Sequence, residues 1–257
     1  MLKIQSTKDN WNANLYDQNH SFVSKYGNNL IDLLALKEGE KILDLGCGTG
    51  DLAKKMYDIG GNVVGIDNSQ NMLNQALVKY PEIKFVLREV TDLGFNSEFD
   101  AVFSNATLHW VKQPKLGLQS IYRSLKSSGR FVAEFGGKGN VQIITNEIIN
   151  QINQSGIEFN MEQIPWYYPS IGEYTSLMED AGFRVTFAEH FDRTTPLDGE
   201  HGLRNWIKMF GNTFFEGIDE ERTERIITKV ENNLKGILYI DGKWIADYKR
   251  IRVMGLK

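Results

Sequence analysis

An α/β fold is predicted, a doubly wound parallel sheet covered by helices on both faces, because short apolar runs and amphipathic segments alternate along the first half of the chain. The runs are rich in β-branched and aromatic residues and are bounded by Gly, Asp, Asn or Ser, as buried strands are. Between them, apolar residues recur three and four apart, the spacing that gives a helix one buried stripe. Strand, helix, strand repeated in this way implies right-handed crossovers.

In chain order, strands are expected at 41–45 (KILDL), 62–67 (NVVGID), 83–88 (IKFVLR), 99–104 (FDAVFS) and 129–135 (GRFVAEF). Helices are expected in DLAKKMYDIG, SQNMLNQALVKY and KLGLQSIYRSLKSSG, two of which close on a glycine. After Phe135 the rhythm changes. Val141 to Ser155 has helical spacing, Pro165 to Ser170 reads as an aromatic loop, and Ile171 to Ala181 reads as a helix stopped by Gly182. A sixth strand is placed at 183–192, amphipathic helices at 199–211 and 219–235, and a last strand over the alternating run KWIADYKRIRVMG. The 257 residues are read as a single domain with a core of about 38–139, 171–193 and 243–255. Segments of about 1–30, 140–170 and 194–240 are candidate lid pieces, since ligands of open α/β sheets sit beyond the carboxyl ends of the strands.

Lys and Arg number 29 against 33 Asp and Glu, a net charge of -4 with no dense block of either sign. Such a surface offers no electrostatic footprint for nucleic acid or an anionic membrane, so neither is expected as a partner. Cys47 is the only cysteine, which excludes an intrachain disulfide and a multi-cysteine metal site. His20, His190 and His201 lack metal-ligand spacing to one another, and no metal is expected. The opening MLKIQSTKDNW has no apolar run after its basic residue, and no uninterrupted apolar stretch of about 18 residues occurs. The expectation is a soluble, cytoplasmic protein; nothing in the pattern speaks to its oligomeric state.

The strongest local signal is Asp44-Leu45-Gly46-Cys47-Gly48-Thr49-Gly50, an acid inside the end of the first strand followed by glycines at alternate positions. Glycines without Cβ let the backbone turn tightly and approach a ligand at the start of the next helix. A dinucleotide fingerprint spaces its glycines G-x-G-x-x-G so that helix N-terminal amides cradle a pyrophosphate, and here the third glycine comes one residue early. An acid at Asp44 repels a pyrophosphate and suits a ligand that carries an ammonium group, which favours S-adenosylmethionine over NAD. Asp67, with Asn68 beside it, ends the second strand at the distance from the loop where an acid meets a ribose, and its two oxygens can accept both hydroxyls. Beyond the third strand, Glu89 can accept from the adenine amino group and Val90 can offer its backbone amide, with Leu45, Met72 and Val90 sandwiching the ring. Cys47 itself reads as a small loop residue lining the cofactor, since no second cysteine partners it.

KILDLGCGTG, VVGIDNSQNML, REVTDLGF and FDAVFSNATLHWV together resemble the class I S-adenosylmethionine-dependent methyltransferase superfamily over about Lys41 to Gly136. VFSNATLHWVKQP is similar to the segment after the fourth strand in the group that contains trans-aconitate methyltransferase. The resemblance implies a Rossmann-like sheet of seven strands, mostly parallel with an antiparallel last strand, plus helical lid insertions. It implies cofactor roles for Gly46, Gly48, Asp67, Glu89 and Asn105, and the front segment WNANLYDQNHSF would close over the methionine moiety with Tyr16. Glu89 stands where many relatives carry Asp, one methylene shorter. Beyond Gly137, PWYYPSIGEY and 194–240 do not match what trans-aconitate methyltransferase leads one to expect, so the acceptor does not carry over.

Methyl transfer from a sulfonium is an in-line displacement that needs the acceptor lone pair held on the sulfur-methyl axis and water kept out. A carboxylate acceptor needs no base, whereas a phenol, alcohol or ammonium must lose a proton. His109 is the best-placed base, and the alternative is that His109 and Trp110 only wall the pocket. Trp110, Trp166, Tyr167 and Tyr168 read as a lid wall rather than core, with Trp110, Trp166 and Tyr167 assigned to the acceptor pocket; Arg193 and Arg204 are candidate clamps for an acceptor carboxylate, the alternative for each being a solvated surface role. Ser104-Asn105-Ala106 replaces the Asn-Pro-Pro-Tyr of adenine and glutamine N-methylating groups, which leaves a small-molecule acceptor. O-methylation of a small organic acid or hydroxylated metabolite is expected, against two alternatives: a non-catalytic S-adenosylmethionine-binding protein, and an NAD-dependent oxidoreductase.

Overall fold

A computed structural model describes residues 27–257, and Tyr16 and His20 lie outside the described residues. The chain opens on α1 (Asn28–Leu34), then β1 (Lys41–Leu45), α2 (Asp51–Asp58), β2 (Asn62–Asp67), α3 (Gln70–Lys79), β3 (Lys84–Leu87) and β4 (Phe99–Asn105). A 3-10 turn at Leu108–Trp110 precedes α4 (Pro114–Ser124), β5 (Leu125–Gly136), α5 (Gln142–Gln154), α6 (Ile171–Asp180) and β6 (Arg184–Leu197). The chain ends with α7 (Gly202–Phe210), α8 (Glu220–Leu238), β7 (Tyr239–Ile240) and β8 (Lys243–Leu256). Strand order is β3-β2-β1-β4-β5-β8-β6, with β7 paired antiparallel to β8 off that path.

β1 to β5 pair in parallel, as crossovers through helices require. β8 runs against β5, since Lys257 N donates to Gly129 O while Gly137 N donates to Lys249 O. The sheet is therefore mixed, mostly parallel, with an antiparallel last strand, as expected. The order reverses between β1 and β4, the switch point beyond which ligands of such sheets bind.

The described contacts divide the chain into two compact units. Among the described residues, the first comprises 27–135, Ile171–Glu189 and Arg252–Lys257. Its centre is made by Ile42, Phe103 and Val132 of the sheet with Leu30 and Leu34 of α1 and Ala53 and Met56 of α2, all buried. Arg130 holds the end of α1: its Nε donates to Leu34 O at 2.6 Å while its fork grips Glu40, whose carboxyl it keeps below the ordinary value. α6 is fixed through Tyr174 against Phe135, ring centres 4.6 Å apart. Glu134, wholly buried in β5, is paired with Arg252 of β8 at 2.6 Å.

The second unit comprises Gly136–Ser170 and His190–Ile251. α8 starts under an Asp219 cap, whose side chain accepts from Arg222 N at 2.9 Å, and carries Glu220 and Glu221 in its first turn, where the helix dipole favours them. α7 is locked to it by Arg204, which bonds Glu224, Thr228 and Glu231. Phe159, Trp166, Trp206 and Phe214 form a linked aromatic cluster.

Boundaries differ from expectation where tertiary pairing overrides local pattern. The strand expected at 129–135 begins at Leu125, so the preceding helix stops at Ser124. Phe99 pairs Leu125 but Ala101 pairs Arg130, and the extra residues bulge through Ser128 at φ 65°. The strand expected at 183–192 extends to Leu197; it lies at the end of the strand order, where Pro196 costs no ladder bond. The helix expected at 199–211 is confined to 202–210, and α8 runs three residues further than expected, into β7.

Candidate active site

The carboxyl end of β1 carries the glycine loop. Gly46, Gly48 and Gly50 have φ of 75°, 55° and 88°, backbone that glycine alone adopts without strain. Gly46 has a second reason: a Cβ there would lie 2.0 Å from Thr107 Oγ1, so the loop rests directly on the exit of β4. Thr107 in turn donates to Gly46 O, and Ser104 donates to Leu45 O at 2.9 Å. At Gly48 an added Cβ would meet nothing within 4 Å among the described residues, which leaves that side of the loop open to a ligand.

Asp67 ties the loop to α3. One carboxylate oxygen accepts from Gly48 N and the other from Ser69 N, both at 2.9 Å. Ser69 Oγ then caps α3 by accepting from Met72 N at 3.1 Å. A carboxylate oxygen carries two lone pairs, the acceptor chemistry that suits ribose hydroxyls. The far side of the loop is braced by Asp51, which accepts from Tyr80 Oη at 2.7 Å and pairs with Lys79.

Asp44 is only 2% exposed, and its Oδ2 has no hydrogen-bond partner among the described residues. Burial, and secondarily the Asp67 charge, raise its carboxyl from 3.8 to about 8. Burial with the Asp44 and Asp67 charges likewise pushes the Cys47 thiol up, so at neutral pH it is a packed thiol rather than a nucleophile. A buried carboxyl oxygen without a partner beside an open glycine loop suits a ligand that brings a cation and hydroxyls. S-adenosylmethionine has both.

The remaining expected residues fall in three places. Asn105 is buried at the end of β4, next to the Ala106 turn (φ 58°) whose N donates to Glu134 O. His109 is buried in the 3-10 turn with Trp110 beside it, ring centres 5.4 Å apart. Arg88 N donates to Asp67 O, which brings the β3 exit up to the end of β2; Glu89 follows it, exposed, and Val90 is buried towards Gly117. Leu45 and Met72 are buried, and Asn68 is exposed at the α3 entry. In the second unit Trp166 is buried within the aromatic cluster, and Tyr167 is half-buried. Arg193 is half-buried with its guanidinium 5.1 Å from the Phe191 ring centre. Arg204 is committed to the acids of α8 rather than held for a ligand. Sequence reading missed Thr107, Ser104 and the Asp51–Lys79–Tyr80 brace. Ser69 was legible as a cap; the others carry no local signature.

Residues 43–133 match the methyltransferase domain family. The chain is 34% identical to an uncharacterized methyltransferase of Schizosaccharomyces pombe, over 97% of this chain and 99% of that one. It is 32% identical to the trans-aconitate 2-methyltransferase of an Enterobacter species, over 78% and 79% of the two chains. Its fold is similar to that of the YcgJ protein of Bacillus subtilis, with a TM-score of 0.64, 17% identity and 91% and 98% coverage. The chain belongs to the class I S-adenosylmethionine-dependent methyltransferases. It is an enzyme with S-adenosylmethionine as its cofactor, rather than an oxidoreductase or a binding module.

Proposed function

We propose that the enzyme O-methylates a small organic acid or hydroxylated metabolite, and that the acceptor oxygen is a carboxylate. The observation that carries this is the 32% identity over most of both chains to a methyltransferase named for trans-aconitate. When bound, the cofactor supplies an electrophilic methyl; an acceptor carboxylate lone pair forms the new O–C bond as the C–S bond breaks, and no proton has to move. The chain's own work is then binding, orientation and exclusion of water.

On the cofactor side, Asp44 answers the ammonium, the Gly46-Cys47-Gly48 backbone lies against the methionine portion, and Asp67 and Asn68 take the ribose. Leu45, Met72, Glu89 and Val90 take the adenine, and Asn105 borders the methionine end; Tyr16 is assigned to the same end. The open side of Gly48 and the partnerless Asp44 oxygen support this arrangement. Acceptor recognition is assigned to Trp110 and to 140–170 and 194–240, with Trp166, Tyr167 and Arg193. His109 is a wall for a carboxylate acceptor and a base only for a hydroxyl acceptor.

The test is incubation of the full chain with methyl-labelled S-adenosylmethionine and a panel of carboxylic acids, phenols and alcohols. Formation of an alkali-labile methyl ester from an acid supports the reading. Transfer confined to phenols, alcohols or amines overturns the carboxylate assignment. For an acid acceptor, His109→Asn should retain kcat to within about tenfold, as general-base loss typically costs 10²–10⁴.

A further inference from the structure

The glycine loop gets little rigidity from its own residues. Gly46, Gly48 and Gly50 all stand at positive φ, and glycine is the residue with the most conformational freedom to lose. Gly50 is also the cap position of α2 and, having no side chain, gives that helix start no side-chain hydrogen bond. Asp67 holds the front of the loop at Gly48 N, whereas Thr49-Gly50-Asp51 is held by the far end of α3.

Three contacts converge there. Tyr80, the residue that ends α3, lays its ring on Gly50, where a Cβ would come 3.0 Å from Tyr80 Cδ2 and 3.3 Å from Ala76 Cβ. Its hydroxyl donates to Asp51 Oδ1 at 2.7 Å. Lys79 pairs with the same Asp51 oxygen and donates to Thr49 Oγ1 at 3.3 Å. Phe85 of β3 completes the packing: a Cβ at Gly50 would lie 2.9 Å from its Cζ, and a Cβ at Gly65 would lie 2.5 Å from its Cδ1. Gly65 is therefore the space over β2 that lets this ring reach the loop.

Both ends of one helix thus grip one loop. The Asp67-Ser69 turn starts α3 and takes Gly48 N, while Lys79 and Tyr80 finish it and take Thr49, Gly50 and Asp51. A loop binds with an affinity reduced by the fraction of time it spends outside its binding conformation, so contacts that hold that conformation raise affinity without touching the ligand. Lys79, Tyr80 and Asp51 are half-buried, where an ion pair is screened less by salt than on an open surface.

We infer that Lys79 and Tyr80 are positioning residues for the cofactor, which through Thr49, Gly50 and Asp51 hold the glycine loop in its binding conformation; this rests on the loop being the seat of S-adenosylmethionine, as proposed above.

The test is calorimetric titration of the full chain with S-adenosylmethionine, for wild type, Tyr80→Phe, Lys79→Met, Lys79→Arg and Asp67→Ala, at a temperature where circular dichroism shows the variants folded. Tyr80→Phe and Lys79→Met should bind about threefold to tenfold more weakly, as the loss of one hydrogen bond or ion pair lowers the competent fraction of the loop. Lys79→Arg should restore affinity to within about twofold, since a guanidinium renews the pair with Asp51. With an acceptor, KM for S-adenosylmethionine should rise in the two weakened variants while kcat is kept, because the loop acts on binding. If Lys79→Met does not fold, Tyr80→Phe decides the matter, since it keeps the ring on Gly50 and removes one oxygen. Wild-type affinity in Tyr80→Phe and Lys79→Met beside a clear loss in Asp67→Ala overturns the positioning role alone, even where the melting temperature falls. A loss as large in Lys79→Arg as in Lys79→Met overturns the part assigned to the ion pair. Wild-type affinity in every variant, Asp67→Ala included, overturns the loop as the cofactor's seat and this role with it.

Discussion

Asp44→Asn should make the ligand-free enzyme more stable and a worse binder, and the size of the gain should depend on pH. Asp44 is buried with one oxygen unpartnered among the described residues, and its carboxyl is raised from 3.8 to about 8 by burial and then by Asp67. The folded protein therefore prefers the proton that the unfolded chain has lost. The sign follows: the penalty on folding is absent below about pH 4, grows by about 1.4 kcal/mol per pH unit, and levels off above about pH 8. At pH 7, roughly three pH units above the ordinary value, the ceiling is about 4 kcal/mol. Asparagine keeps the shape and removes the charge, so the variant gains up to that amount at pH 7 and little near pH 4. Urea unfolding of both proteins without ligand, at steps across this range, measures the gap. A gap that does not change with pH, or one that widens as pH falls, would refute the reasoning. Calorimetry at about pH 8 should show the variant binding S-adenosylmethionine on the order of tenfold more weakly, because a charge-assisted contact is worth about 1.5–3 kcal/mol.

Four further outcomes follow from the geometry. Asp67→Ala releases Gly48 N and Ser69 N together; S-adenosylmethionine affinity by calorimetry should fall at least tenfold, by about 1.5 kcal/mol or more. Gly46→Ala puts a Cβ against Thr107 at positive φ; thermal melts should show a loss of about 1–3 kcal/mol for the backbone strain alone. Arg252→Met removes the guanidinium from the wholly buried Glu134 carboxylate, and denaturant unfolding at neutral pH should register up to about 3–5 kcal/mol of destabilisation. Thr107→Ala removes the hydroxyl bonds to Gly46 O and Asn105 O, at an expected cost of about 1 kcal/mol by the same assay.

The sequence by itself determined the alternating α/β fold and the glycine loop at the end of β1. These are local properties: KILDL and NVVGID are strands because consecutive β-branched and aliphatic residues suit a sheet buried on both faces, and Gly46, Gly48 and Gly50 announce a backbone that side chains would forbid. The position of Asp67 at a strand end was legible for the same reason, though its grip on Gly48 N and Ser69 N was not. Only tertiary structure decided what depends on partners distant in the chain. LKSSG has helical spacing and is a strand because β4 and the chain end at Lys257 bond to it. Thr107 matters because Gly46, 61 positions earlier, leaves room only for a hydrogen beside it. Trp166 stands in a loop by sequence and in an aromatic cluster by packing. Arg204 looked available for a ligand until α8 presented Glu224 and Glu231 to it. Propensity and motif act over a few neighbouring residues, whereas hydrogen-bond accounting and burial are settled by contacts that the folded chain makes across its whole length.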